Sequence, residues 1–321
     1  MSVTEKVKQK YPILVALIFF IYISATAFIL IFSASIGSVM ASEKVLINAL
    51  PNVTNLDIHS DFVDVEMKND RLNSGFLVLV NNDHACRFDG DNLIEIYERN
   101  NKRKFKVANL DVQLNETVYS KAENMLSALC DVTENSNVMI HSAYRSKQLQ
   151  EELYKEDKES KGEEYQGEEF VLLPGYSEHQ TGYAFDLSIM DDENFSVLDE
   201  GKEFDWLKSN CGKYGFILRY PKDKVEKTGI GYETWHYRYV GLPHSEYIMQ
   251  NNLCLEEYVE LLKTHTINNP LYTTDYTTTT WMVYYVASQL GDHTVVQVPK
   301  DSEYQIYGNN IDGFIIAVKM Q

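Results

Sequence analysis

Positions 13–32 of the chain read ILVALIFFIYISATAFILIF, and no charged side chain occurs from Tyr11 to Ala41. A bilayer span needs about 20 mainly apolar residues, so residues 12–33 are expected to cross a membrane. Lys6, Lys8 and Lys10 precede the run, whereas only Glu43 and Lys44 follow before Asp57. That asymmetry puts the N-terminus in the cytoplasm and everything after about Ser42 outside. Val39-Met40-Ala41 resembles a cleavage site, but the apolar region of a signal peptide runs to only about 7–15 residues, so an uncleaved anchor is the expected reading.

Downstream the pattern changes repeatedly. Residues 42–74 are polar and aperiodic, which suits a stalk. GFLVLVNN from Gly75 reads as a first strand and NVMIHSAY (137–144) as a second. Between them Val118, Ala122, Met125, Leu126 and Leu129 recur at helical spacing and predict a helix over 118–132. SKQLQEELYKE predicts another, with Leu149 and Tyr154 turned inward, before EDKESKGEEYQGEEF dissolves into a solvated loop. A helix over 203–213, a short strand FILRY (216–220) and an aromatic-rich strand YETWHYRYVG (232–241) follow. From Thr266 a low-complexity TTDYTTTT leads into four strand-like runs, WMVYYVA, TVVQVP, YQIYG and GFIIAV. The pattern divides the chain into a stub and anchor (1–41), a stalk (42–74), a main α+β domain (75–265) with a small antiparallel sheet and flanking helices, and a β-rich appendage (266–321).

Charge narrows the partners. The 29 Lys+Arg against 47 Asp+Glu leave a formal net charge of -18, which argues against nucleic acid, whose binding draws on clustered cations. Cys86, Cys130, Cys211 and Cys254 are widely spaced and show neither a metal pattern nor a dense disulfide framework, so their pairing is not legible. No Gly-x-Ser-x-Gly elbow is present, which removes one common serine-hydrolase logic.

Two clusters carry metal chemistry. His179 and Asp186 stand either side of Gly182 and Ala184, small residues that let the chain pass close to an ion. Glu233 stands three before His236 and can reach a metal-bound water without being a ligand. Together they supply the three protein ligands and the proton carrier that a catalytic zinc site uses. His141 and His244 fall outside this set, and His59, His84, His265 and His293 have no partner pattern.

Three blocks, SAYRSKQLQ (142–150), PGYSEHQTGYAFDLS (174–188) and ETWHYR (233–238), resemble the family of D,D-carboxypeptidases that includes the vancomycin-resistance enzyme VanY, together with related L,D-carboxypeptidases. The resemblance covers residues 75–263. It implies a zinc-peptidase domain in which His179, Asp186 and His236 hold Zn2+ and Glu233 is general base and acid. It also implies that Arg145 polarises the scissile carbonyl and that Gln150 and Ser177 contact substrate. From its chemistry alone, the Arg145 guanidinium suits either a developing oxyanion or a peptide's terminal carboxylate. Trp235 is expected to wall the pocket and Arg238 to orient a ligand from behind. The implied reaction is removal of the terminal D-alanine from peptidoglycan stem peptides, beside which an outward-facing anchor would hold the domain. Trimming of tetrapeptide stems by an L,D-carboxypeptidase and non-catalytic cell-wall binding are the alternatives.

Overall fold

The computed structural model describes residues 61–99, 102–162, 171–191 and 194–320. The expected membrane run at 12–33 and the first part of the stalk lie outside the described residues. Among those described, no helix is long and apolar enough to cross a membrane.

The described chain opens with β1 (Phe62–Lys68), then β2 (Leu93–Glu95), β3 (Lys106–Val107) and β4 (Gln113–Asn115), which leads directly into helix α1 (Glu116–Thr133). Strand β5 (Val138–Ser142), helix α2 (Lys147–Lys161), strands β6 (Ala184–Asp191) and β7 (Asn194–Val197), and helix α3 (Gly201–Asn210) follow. Next come β8 (Phe216–Tyr220), a single turn α4 (Val225–Thr228), β9 (Glu233–Tyr239), α5 (His244–Gln250) and α6 (Leu255–Leu262). The chain ends in β10 (Leu271–Thr274), β11 (Thr280–Ala287), β12 (His293–Pro299), β13 (Tyr304–Gly308) and β14 (Gly313–Lys319).

The central sheet runs β3-β5-β6-β9-β8, with β7 hairpinned onto β6. Only the β3–β5 pair is parallel. Asn115 caps α1 by accepting from the backbone N of Thr117 and Val118, a start worth about 1 kcal/mol. The five residues whose spacing predicts this helix, Val118, Ala122, Met125, Leu126 and Leu129, are all fully buried. They pack with Phe185, Leu187, Phe216 and Tyr237 on one face of the sheet. Each large aliphatic side chain buried there contributes about 1.5–3 kcal/mol. The opposite face is left for chemistry.

Several expectations change. Residues 77–80 are buried and Phe76 half-buried, as their apolar run implies, yet they form no strand. Their backbone is satisfied elsewhere: Arg238 donates to the carbonyls of Phe76 and Val78, Leu79 N donates to Asn309 O, and Asn310 Nδ2 donates to Leu79 O. In α2 Gln150 is buried and Tyr154 half-buried on one face, while Leu149 is exposed, so Tyr154 turns inward as expected and Leu149 does not. That helix also continues to Lys161, through the first part of the charged stretch assigned to a loop. Cys86, Cys130, Cys211 and Cys254 are all free and buried.

The stalk expected over 42–74 is in part a strand, because β1 pairs along its whole length with β12, from Phe62↔Pro299 to Lys68↔His293. The other C-terminal strands form an antiparallel sheet in the order β10-β11-β14-β13. This β-rich segment packs on the rest of the described chain. Trp281, Val283 and Ile315 share an apolar cluster with Leu77, Ile217, Leu255, Tyr258 and Leu262. The Thr-rich stretch is an organised turn: Asp275 Oδ1 accepts from Thr277 N and Thr279 N, and Asp275 Oδ2 from Trp281 Nε1.

His244 sits in this second core, fully buried, with Nδ1 and Tyr258 Oη 2.8 Å apart in a hydrogen bond. Burial pushes its pKa down to about 3. The folded protein therefore keeps it neutral where the unfolded chain, titrating near 6.5, takes up a proton. Its contribution is complete above pH 6.5 and lost as the pH falls toward 3. Between pH 6.5 and 4 the loss is on the order of 3 kcal/mol. Urea unfolding at a series of pH values should show this slope in the wild type and its reduction in His244→Gln; equal slopes would refute it.

Candidate metal centre

Strands β6 and β9 pair antiparallel with Asp186 directly opposite His236. His179 reaches the same place from a 3-10 turn, Glu178–Thr181, that immediately precedes β6. Gly182 ends that turn at φ 75°, a left-handed conformation glycine adopts without strain. A Cβ there would meet Leu93 Cδ2 at 2.6 Å, so the small residue makes room for Leu93. Glu233 is three residues from His236 and would face away in a regular strand. The β8–β9 register slips between Leu218 and Tyr220, and this irregularity turns Glu233 toward the site.

The donor atoms converge. His179 Nε2 lies 3.2 Å from Asp186 Oδ2, and His236 Nδ1 lies 3.1 Å from Asp186 Oδ1 and 3.5 Å from Glu233 Oε2. Among the described residues His179, Asp186 and His236 are the one group of three whose ligand atoms fall within 4.8 Å of one another. His179 Nε2 and Asp186 Oδ1 are buried without hydrogen-bond partners. Buried orphan polar atoms cost about 1–3 kcal/mol each unless something satisfies them, and two imidazoles with a carboxylate fit a divalent cation. His179 Nδ1 lies 2.5 Å from Ala143 O, a bond in which the ring donates. That contact fixes the tautomer with Nε2 free to ligate.

The electrostatics are consistent with a cation site. Burial, with Arg145 adding to it, pushes His179 down to about 4, so it is neutral near pH 7. Burial would raise the Asp186 carboxyl, but His179 and His236 outweigh it and hold it well below the usual range. Burial pushes Glu233 up to about 7, the value of a carboxylate able to take and return a proton near neutrality. For His236 burial acts downward, but Asp186, Glu178 and Glu233 overcome it and raise the ring to about 9.

A cavity of about 140 Å³ opens on these atoms, and Arg145, Ser177, Trp235 and Glu233 line it beside the three donors. Larger grooves run along 93–99 and 103–108 but bring no such donor set together. Gln150 does not line the cavity. It is buried behind it, donating from Nε2 to the carbonyl of Leu172, which does line it. Arg238 reaches the centre only through Glu178, 2.6 Å from its Nη1. His141 is exposed and packs edge-on to Phe195, and His244 belongs to the second core; neither approaches the donors.

The comparisons with known proteins agree with this geometry. The family model described as "VanY: D-alanyl-D-alanine carboxypeptidase" matches residues 111–242. The bifunctional D-Ala-D-Ala dipeptidase and D-Ala-D-Ala carboxypeptidase VanXYC of Enterococcus gallinarum is 37% identical over 156 residues, 47% of this chain and 80% of that protein. The chain belongs to the VanY family. A second relative, a D-alanyl-D-alanine carboxypeptidase of Enterococcus faecium, is 39% identical over 188 residues, 57% of this chain; the chain spans about half of that protein, 54%. The solved structure of the vancomycin-resistance D,D-dipeptidase VanXYg, in complex with a D-Ala-D-Ala phosphinate analog, superposes with a TM-score of 0.69 at 29% identity. It covers 80% of this chain and 99% of its own, more than the 75–265 segment alone could supply.

The VanY-family motifs do not flag every residue at this centre. Tyr220 lines the cavity with its ring 4.9 Å from that of His236, and Leu172 and Ile230 pack with it as a small apolar wall. Glu178, inside the family motif but not one of its fixed positions, is fully buried and binds Arg219 and Arg238. Only Arg219 carries a sequence signal, as the one charge in the otherwise uncharged run FILRY, where every residue is buried.

Proposed function

We propose that this protein is a zinc-dependent D,D-carboxypeptidase that removes the terminal D-alanine from peptidoglycan stem peptides. In this reading residues 12–33 hold it in the cell membrane with the catalytic domain outside. The observation that carries the reading is the convergence of His179, Asp186, His236, Glu233 and Arg145 on one small cavity. Two imidazoles and one carboxylate are the ligand set of an open zinc site, and the E. faecium and E. gallinarum relatives are described by activity on D-Ala-D-Ala.

Bound zinc would supply Lewis-acid polarisation of a carbonyl and a lowered pKa for water. Glu233, desolvated and facing the donors, takes the proton of the attacking water and returns it to the amine of the leaving D-alanine. The Arg145 guanidinium, half-buried and always charged, sets a fixed positive field at the cavity wall for oxygen gaining negative charge. Ser177, at the start of the 3-10 turn, offers a hydroxyl to the peptide, and Leu172 with Ile230 presents an apolar wall to a methyl group. Gln150 supports that wall by holding the Leu172 carbonyl.

Mass spectrometry of two stem peptides tests the assignment. The pentapeptide ending in D-Ala-D-Ala should lose one alanine while the tetrapeptide survives. Loss from the tetrapeptide alone would make the enzyme an L,D-carboxypeptidase, and two intact stems with metal bound would leave a cell-wall binding module.

A further inference from the structure

The two imidazoles of the centre are held differently. His179 is fixed by a backbone carbonyl. His236 turns Nδ1 toward Asp186 and Glu233, so its Nε2 points away from the centre and into the protein, where it lies 3.6 Å from Glu178 Oε2. Both of these atoms are buried without a hydrogen-bond partner. Glu178 itself is fully buried, and its two oxygens divide the work. Oε1 accepts from Arg219 Nε at 2.9 Å and from Arg238 Nη1 at 2.6 Å, while Oε2 faces only His236 among the ion pairs at this site. Arg219 is held in turn by Glu256, with Nη1 2.9 Å and Nη2 2.6 Å from its carboxylate. Two arginines and two glutamates thus balance in charge within the interior, as buried ions require.

We infer that Glu178 is a positioning residue for His236: its Oε2 accepts the Nε2 proton, fixing the tautomer in which Nδ1 is the metal donor. A simple counter-ion for two arginines would have no reason to keep one oxygen clear of both. A carboxylate behind a ligating imidazole also raises its basicity, and loss of such a partner typically weakens metal binding by about 10–100-fold. The arginines keep the Glu178 carboxylate from turning, so the imidazole plane is set by groups on β8, β9 and α6.

This inference rests on the zinc centre proposed above, and its test separates the two. Zinc affinity is measured by competition with a chromophoric chelator for the wild type and for Glu178→Gln. The amide has one oxygen, which the arginines claim, leaving its NH2 facing His236 Nε2 and favouring the tautomer that cannot ligate through Nδ1. A 10–100-fold weaker affinity is expected in the variant. Affinity within twofold of wild type in the folded variant would overturn the inference while leaving the zinc centre standing; a wild type that binds no zinc would overturn both. Should the variant not fold, long-range 1H–15N NMR of the zinc-loaded wild type decides. His236 protonated on Nε2 with Nδ1 ligated supports the role, and ligation through Nε2 refutes it.

Discussion

Glu233→Gln is expected to retain the metal and lower turnover of the pentapeptide stem by roughly 10²–10⁴-fold, the usual worth of a positioned general acid–base group. The amide matches the carboxylate in size, so the cavity and the three donors keep their places. What disappears is the capacity to hold a proton between water and leaving amine. Burial pushes Glu233 up to about 7, and Asp186 adds to the rise while His236 opposes it. Elemental analysis alongside steady-state kinetics distinguishes this loss from loss of metal. A variant that turns over within tenfold of wild type would remove Glu233 from the mechanism.

Removal of the metal with a chelator should abolish turnover altogether, and stoichiometric zinc should restore it. The fold is expected to survive, because Asp186 and His236 then pair with each other at 3.1 Å and the main core lies on the far side of the sheet. The pH dependence has a definite sign. His236 is raised to about 9 in the metal-free protein, so near pH 7 it carries a proton that the metal must displace. Apparent affinity should fall as pH falls, by up to about tenfold per unit, in chelator-competition titrations between pH 8 and 6. Affinity that rises on acidification would contradict His236 as a ligand, and turnover indifferent to the chelator would contradict a metal mechanism.

The legible parts of this molecule are those whose signals are local. Helix α1 and strands β8 and β9 announce themselves by periodicity or by a bounded apolar run, and the candidate donors His179, Asp186 and His236 lie within short, recognisable phrases. Residues 76–80 misled because an apolar run reports burial and does not report where the backbone hydrogen bonds go. Theirs go to Arg238, Asn309 and Asn310, some 160 to 230 positions later. Glu178 and Arg219 are not legible for a related reason: a lone charge reads as surface until its partners are known. In β1, Val63, Val65 and Met67 alternate with Asp64, Glu66 and Lys68, a strand signal that the polar composition of its neighbourhood masks.

The β1–β12 ladder decides where the folded unit can be cut. A polypeptide begun at Gly75, where the family resemblance suggests a start, would strip β12 of the one strand bonded to it among the described residues. An unpartnered strand is a template for another chain, and beneath it Val296 and Val298 are wholly buried. Residues upstream of Gly75 thus complete the C-terminal layer, and the central sheet is reached only after the chain has left a strand behind in that layer. The smallest autonomous piece begins before Phe62 and runs on through β14.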